Sequence, residues 1–454
     1  MKVLLVRPKP DGETIGLQHI MVCEPLELEY LAANVSPEIM KQVQLKIVDM
    51  ILDKRRFKSI LRHEMPEFVV FTGYITHVGV IKKMAQEAKA LCPEVKTGVG
   101  GVHAEVVPGD FVSPFIDFIY EKNGIDGFNS TLKGLLAGAT AEAIRDQLEQ
   151  AGPKKHFFDY EHPDRSAVSS YRKHYYYMFH SPCALMKTSF GCPYNCSFCF
   201  CKEITEGKYF AREVEEVLQE LEAIEEEEIY LVDDDFLHDT KRLEAFVEGL
   251  KRKNIRKKFL VYGRADFIAE NETMMRGLKE EGLQAVIVGI ESVRAGDLEA
   301  YNKRTTKEVN ERCINLLKQL DIELYATMII PLDFDKKDFN QLVDWLRKFD
   351  VRFVNLQPLT PLPGTDIFER YLPDLLVKRE DYPVWDMAHV VLKPEFMSIR
   401  RFYLEMLVAY YKVVMRPRHL VALIKKYGMR ANLRMLIGSS FITCQYILKI
   451  VRGH

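Results

Sequence analysis

Residues Cys192-Pro193-Tyr194-Asn195-Cys196-Ser197-Phe198-Cys199-Phe200 place three cysteines in a CxxxCxxC spacing, directly after an apolar, strand-like run from Ala184 to Ser189. Three thiols are one short of a closed four-thiolate site. A cubane [4Fe-4S] cluster held by three thiolates keeps one iron open for a small ligand. The competing reading is a structural zinc ion, which needs a fourth ligand from elsewhere, and Cys201 stands close by. The strand ahead of the loop, the aromatic Phe198 before the last cysteine and the regular strands downstream favour the cluster.

Outward from this loop, residues 184 to about 370 repeat strand and helix six times. The predicted strands are Leu185–Ser189, Ile229–Asp233, Phe259–Arg264, Ala285–Glu291, Leu324–Ile330 and Val354–Leu359. Helical periodicity fills Ala211–Glu226, Lys241–Arg252, Glu272–Glu281, Lys307–Leu320 and Lys337–Phe349. Six such repeats predict an α/β fold with a partial (β/α)6 barrel, whose working groups gather at the carboxyl ends of the strands. The cysteine loop follows the first strand, as that rule requires.

Loop and barrel together resemble the radical SAM superfamily. The resemblance implies that Cys192, Cys196 and Cys199 hold three irons and that the fourth chelates S-adenosylmethionine (SAM). Cleavage of SAM then yields a 5′-deoxyadenosyl radical able to attack an unactivated C–H bond, and a reductant such as flavodoxin or ferredoxin is implied as partner. Phe198 occupies the position that lies against the adenine in similar enzymes; it reads equally well as a loop hydrophobe.

The second strand ends in Asp233-Asp234-Asp235, too many acids to bury without partners. Family resemblance sets Asp233 and Asp234 near the SAM ammonium, while a solvated helix cap is the alternative. In Tyr262-Gly263-Arg264-Ala265-Asp266, alternation puts Tyr262, Arg264 and Asp266 on one face. Arg264 would meet a carboxylate of SAM or substrate, or simply pair with Asp266. Glu291 closes the apolar run from Ala285 to Ile290 and resembles the Gly-x-Glu-Ser strand of the superfamily's SAM site. Thr360-Pro361-Leu362-Pro363-Gly364-Thr365 resembles the barrel-closing loop of cobalamin-type members, or is a rigid turn. No residue is assigned to proton or hydrogen transfer.

Residues 1 to about 150 alternate strand (Val3–Arg7, Leu45–Asp49, Phe68–Tyr74, Lys96–Gly100, Ile116–Tyr120) with helix (Glu27–Val35, Val78–Leu91). This predicts a doubly wound parallel sheet of flavodoxin or Rossmann type, with ligands bound outside the carboxyl ends of its strands. Two of those ends look specialised: Thr72-Gly73-Tyr74-Ile75-Thr76-His77 and Gly98-Val99-Gly100-Gly101-Val102-His103. With Pro8 and Pro25-Leu26-Glu27-Leu28, these stretches resemble the cobalamin-binding domain ahead of many radical SAM enzymes. Tyr74, Thr76, Gly100, Gly101 and His103 then become candidate cobalamin contacts. The sequence departs from that pattern at Glu121-Lys122-Asn123-Gly124 and lacks an Asp-x-His-x-x-Gly motif. A scaffold domain without cofactor is the alternative.

Residues 151–183 read as a linker, with Pro153, Lys154-Lys155-His156, Pro163, Tyr175-Tyr176-Tyr177 and Pro182 and no clean period. Residues 371–454 read as a helical, basic C-terminal domain. From Met397 onward there are eleven Lys or Arg and one acid, Glu405, a net +10 against −12 for the rest of the chain. Helices are expected over Ile399–Met415 and Leu420–Tyr427. The uncharged run from Met435 to Leu448 falls short of the roughly twenty residues that span a bilayer. Basic and apolar surface together suit an anionic membrane face, whereas no nucleic-acid module accompanies the charge. A cap packed on the acidic remainder is the bland alternative.

Nine cysteines without a secretory signal at Met1–Pro8 argue for a reducing compartment. A cytoplasmic protein is expected, peripheral to the inner membrane face if the tail docks there. The resemblance implies cobalamin-dependent methylation of an unactivated carbon, on a small or lipid-like acceptor. Rearrangement, cyclisation, carbon–carbon coupling or transfer of another SAM group remain open, as does, more remotely, a non-catalytic iron–sulfur sensor.

Overall fold

The computed structural model describes residues 1–150, 152 and 160–453. Pro153 and Lys154-Lys155-His156 of the expected linker therefore lie outside the described residues. The chain forms two compact units. Unit 1 comprises Met1–Thr14, Glu24–His174 and Glu380–Val384; unit 2 comprises Ile15–Cys23, Tyr175–Arg379 and Trp385–His454.

Unit 1 is built on a parallel sheet of β1 (Lys2–Arg7), β2 (Gln44–Asp49), β3 (Phe68–Thr72), β4 (Lys96–Gly100) and β5 (Phe118–Ile119), in the order β2-β1-β3-β4-β5. That is the flavodoxin-like winding, whose ligand crevice opens where the order reverses, between β1 and β3. The strands are continuous apolar runs because helices cover them. Leu4, Val6, Val69, Phe71 and Val99 pack against Ile60, Leu61, Val78, Ile81 and Ala85 from the helices Phe57–Glu64 and Val78–Leu91. β3 stops at Thr72, short of the predicted Tyr74. The Tyr74 N–H turns to His77 Nδ1 at 3.3 Å, and a 3-10 turn follows over Ile75–His77. The edge strand β5 keeps only two of the five predicted residues.

Unit 2 holds six parallel strands in consecutive spatial order: β6 (Cys183–Met186), β7 (Glu228–Leu231), β8 (Lys258–Gly263), β9 (Leu283–Glu291), β10 (Glu323–Ile330) and β11 (Phe353–Pro358). This is the expected partial barrel. β6 ends three residues before the predicted Ser189, because Asp233 captures the chain there. Its carboxylate accepts from the Thr188 N–H (2.6 Å), the Thr188 hydroxyl (2.5 Å) and the Ser189 hydroxyl (2.7 Å). Ser189–Phe190 then pairs antiparallel with Phe210–Ala211, so the helix predicted from Ala211 starts only at Val214.

The stretch 385–454 is part of unit 2. The helix Ile399–Val414 buries Phe402, Tyr403, Met406 and Val413, with Phe402 edge-on to Phe339 at 5.5 Å. Pro417–Arg452 follows as two helices that meet at Gly428, the first covering the predicted Leu420–Tyr427 helix and the second the apolar stretch after it. Gly428 separates them, and its φ of 77° is open to glycine at little cost.

Candidate functional site

The cysteine loop is pinned from several sides. Ser197 N donates to Tyr301 O (3.1 Å), Asn302 Nδ2 to Asn195 O (2.7 Å), and Gly191 N to Asp234 Oδ2 (2.8 Å). Gly191 has φ 80°, and a Cβ there would collide with the Lys208 carbonyl. The Arg264 guanidinium covers the Tyr194 ring at 3.5 Å, and Phe198 meets Tyr301 edge-on at 5.7 Å. Cys192, Cys196, Cys199 and Cys201 are free thiols.

Two buried cations stand by this loop. Arg264 clasps Asp266 through Nε and Nη2 and donates to the Lys303 carbonyl at 2.7 Å. β8 ends at Gly263, so Asp266 sits in the first turn of the helix Ala265–Glu270 rather than on a strand face shared with Tyr262 and Arg264. Lys303 Nζ donates to Glu291 Oε1 at 3.0 Å. Glu291 ends β9 with φ 61°, at a register shift against β10, a strained conformation typical of working positions. Gly289 makes room for this pair: a Cβ there would collide with the Glu291 carboxylate and lie 2.6 Å from Lys303 Nζ.

The three aspartates after β7 have separate tasks. Asp233, expected near the SAM ammonium, has both oxygens committed to Thr188 and Ser189. Asp234 takes Gly191 N, Lys187 Nζ at 3.5 Å and Cys201 Sγ at 3.5 Å. Asp235, which sequence reasoning passed over, is 2% exposed and neither of its oxygens has a hydrogen-bond partner. Burial pushes its carboxyl up to about 7, against the pull of Arg264 and Lys303. A buried carboxylate without a donor is costly, so Asp235 is the acid here with capacity for a cationic ligand. Its signal in the sequence was only its place at a strand end.

Burial pushes the Cys192 thiol up to about 12, with Asp235 adding to it. Burial also raises Cys196, against Lys303 and Arg264. Cys199 is held down by a hydrogen bond with Cys201, whose own thiol is pushed up. Cys201 is thus engaged with Asp234 and Cys199. Among the described residues no three His, Cys, Asp or Glu side chains converge on a point that one ion would fill. A cubane asks for something else, because each of its thiolates meets a different iron. Three free thiols on a pinned loop beside two buried cations fit an anionic thiolate-held cluster. Beside the loop, on the flank formed with Ala265–Glu270, a hollow of 710 Å³ is lined by Tyr194, Asp266, Asn302, Arg304 and Thr306 among others.

In unit 1 the expected loops follow the neighbouring strands β3 and β4. Tyr74 is 61% exposed, whereas Thr76 and His77 are buried. Gly101 has φ 100°, and a Cβ there would sit 2.9 Å from Thr72 Oγ1, so glycine is required. Gly100 lies over Tyr120 with only ordinary clearance. His103 turns inward, 2.9 Å from Asp110 and edge-on to Phe111, and is held by the protein itself. The Thr72 hydroxyl donates to Glu27 at 3.1 Å, tying β3 to the helix Leu26–Ala33. At Gly101 the backbone passes close to Thr72 and Gly73, an approach that no side chain would allow.

Two protein families match the chain: the B12 binding domain over residues 1–128 and the Radical SAM superfamily over residues 186–346. The chain is 27% identical over 417 residues to the hopanoid C-3 methylase of Methylococcus capsulatus, covering 89% of this chain and 79% of that one. It is 23% identical over 406 residues to the anaerobic magnesium-protoporphyrin IX monomethyl ester cyclase of Cereibacter sphaeroides, covering 81% and 65%. The fold is that of the cobalamin-dependent S-adenosylmethionine radical enzyme OxsB, solved with aqua-cobalamin and S-adenosylmethionine, at TM-score 0.69 and 16% identity over 98% of this chain and 72% of that one.

Proposed function

The chain belongs to the radical SAM enzymes that carry an N-terminal B12-binding domain, and we propose that it methylates an unactivated carbon of a lipid-like, isoprenoid acceptor. When bound, the cluster supplies the electron that cleaves SAM and cobalamin carries the methyl group. Cys192, Cys196 and Cys199 would hold the cluster. Asp235, with its unpartnered oxygens, would accept from the SAM ammonium, and Phe198 would lie by the adenine. Arg264 is clasped by Asp266 and Glu291 by Lys303, so both shape the site through these pairs. Tyr74, Thr76, Gly100 and Gly101 would line the cobalamin crevice, and His103 would brace the loop through Asp110.

The carrying observation is the pairing, in one chain, of the cysteine loop on its barrel with a B12-binding unit, along most of the length of a hopanoid methylase. The test is anaerobic: protein purified from cobalamin-fed cells is incubated with SAM, a reductant and a lipid extract. Bound cobalamin, 5′-deoxyadenosine and a methylated lipid are expected. 5′-Deoxyadenosine with bound cobalamin but no methylated product would overturn methyl transfer. That outcome would favour a cyclisation or rearrangement, the reading supported by the cyclase relative and by the Glu121–Gly124 departure.

The acceptor would be reached at an anionic membrane face. No helix among the described residues is long and apolar enough to cross a membrane. The helix between Gly428 and Gly453 leaves Leu433, Leu436, Ile437 and Leu448 about half exposed and Val451 more so, with Arg430, Arg434 and Arg452 on the same element. Deleting residues from 397 on would also strip Phe402 and Tyr403 from the core, so charge reversal is the cleaner test. Lys425→Glu with Arg430→Glu should weaken binding to anionic vesicles about 30-fold or more, at about 1 kcal/mol for each charge removed and a further repulsion for each acid added. Unchanged flotation with such vesicles would refute the membrane assignment.

A further inference from the structure

The lumen of the unit 2 barrel is filled toward its base by tyrosines, where aliphatic layers commonly fill barrels. Phe259 of β8 packs outward on Phe246 of the helix Thr240–Lys253, so alternation turns Tyr262 of the same strand inward. Tyr262 is 37% exposed and sits at the carboxyl end of β8, one residue before the strand stops. Two residues on, Arg264 covers Tyr194 of the cysteine loop. Tyr262 and Tyr230 lie against each other, with ring centroids 5.9 Å apart. Tyr230 contacts Tyr177 at 4.8 Å, and Tyr177 contacts Tyr325 at 6.0 Å. Tyr325 lies 4.8 Å from Phe353, Phe353 5.8 Å from Phe179, and Phe179 stacks on Tyr427 at 4.3 Å. Tyr427, the last residue before the break at Gly428, is only partly buried.

An unbroken run of ring contacts thus leads from the cysteine-loop end of the lumen to the surface. Phenylalanine would fill the same space without the cost of burying hydroxyls. What tyrosine adds is an oxidisable O–H, which gives up an electron readily only when its proton has somewhere to go. The Tyr325 hydroxyl is 3.2 Å from His180 Nε2, and His180 Nδ1 is 2.8 Å from Glu228. The run therefore has a proton acceptor at its base.

We propose that this tyrosine run is an escape route for stray radicals, with Tyr262 as the hydrogen-atom donor and Tyr427 as the surface exit. The proposal rests on the family's radical chemistry and not on methyl transfer. When a carbon-centred radical forms in the lumen with no acceptor molecule seated, it takes the phenolic hydrogen atom of Tyr262. A C–H bond forms, the O–H bond breaks and the phenoxyl radical of Tyr262 remains. The reaction runs downhill because a phenolic O–H bond is weaker than an alkyl C–H bond. The hole then moves by electron transfer along the ring contacts to Tyr325, whose hydroxyl proton passes to His180 Nε2, while water at the part-exposed Tyr262 restores its O–H. Tyr427 next gives an electron to Tyr325 past the rings of Phe353 and Phe179, which stay unoxidised, and the proton on His180 returns to Tyr325. A one-electron reductant of the class that reduces the cluster restores Tyr427, which sheds its proton to water on oxidation and takes it back on reduction. A seated acceptor places its C–H bond nearer the radical and so competes with Tyr262.

The test uses holoenzyme with SAM and titanium(III) citrate but no acceptor, frozen for electron paramagnetic resonance, with 5′-deoxyadenosine measured in the same samples. A tyrosyl signal is expected that narrows when ring-deuterated tyrosine is incorporated. Tyr262→Phe should abolish it, and Tyr427→Phe should prolong it by blocking the exit. SAM cleavage without a tyrosyl signal, or a signal unchanged in Tyr262→Phe, overturns the proposal. Absence of SAM cleavage would instead count against the enzymatic reading, and a second measurement then decides. In cluster-free protein, a ruthenium photo-oxidant is placed on Lys425→Cys in a Cys444→Ser background. Flash oxidation should give a tyrosyl radical whose decay changes in Tyr325→Phe; identical kinetics in that variant refute the relay.

Discussion

Replacing Lys303 with methionine keeps the length of the side chain and removes one charge. Glu291 and Lys303 are 6% and 7% exposed and 3.0 Å apart. Burial alone pulls the Lys303 ammonium down, but Glu291, and Cys196 after it, outweigh this and hold it above its ordinary value. Removing one partner of a buried pair leaves the other charge uncompensated, at a cost of about 3–5 kcal/mol. The two tryptophans of the chain, Trp345 and Trp385, both lie in unit 2, so their emission follows that unit alone. With an m value of about 3 kcal/mol/M, the urea midpoint of cluster-free protein should fall by about 1–2 M in Lys303→Met. Adding Glu291→Gln removes the stranded carboxylate and should restore more than half of the loss, giving a strong coupling in a double-mutant cycle. An unmoved midpoint in the single variant, or a double variant that sums the two single losses, would refute the account of Glu291 and Lys303 as a compensated buried pair.

Burial, and Arg7 after it, lower the His77 imidazole from 6.5 to about 4. The folded state therefore holds it neutral while the unfolded chain protonates it. Its contribution of about 3 kcal/mol is present above pH 6.5 and lost as the pH falls toward 4. The stability difference between wild type and His77→Gln, followed by hydrogen exchange in unit 1 peptides, should shrink over that window; a His77 proton resonance titrating near 6.5 would contradict this. Gly101→Ala forces a Cβ to φ 100° and within 2.9 Å of Thr72 Oγ1, which should cost unit 1 about 1–3 kcal/mol and lower the cobalamin retained through gel filtration. Cys201→Ser should keep the full iron content after reconstitution, whereas Cys196→Ala should lose most of it, as iron analysis of the two proteins will check.

The alternation of apolar runs with helical periods made both sheets legible, since buried parallel strands leave that signature with little ambiguity. The helix Val78–Leu91 matched residue for residue. The cysteine loop was legible because thiol spacing is covalent information. The misses came from side chains reaching across the chain. Nothing local to Thr188 and Ser189 says that Asp233 will draw them out of β6. Alternation through Asp233 and Asp234 gave no reason to prefer Asp235, whose distinction is an absence of partners. Nothing local to His103 announced its pairing with Asp110, seven residues on. The helix expected over Leu420–Tyr427 does stop there, at Gly428 with its φ of 77°.

Asp233 holds the approach to the cysteine loop by contacts that belong to the polypeptide alone: two hydroxyls and one backbone N–H, none of them a metal ligand. Many small metal-binding domains acquire their shape only on loading. The three contacts of Asp233 need no metal, so the chain entering the loop is shaped by a carboxylate and not by the cluster; Asp233→Asn, which turns an acceptor into a donor, should disturb the loop's entry while leaving all three thiols in place.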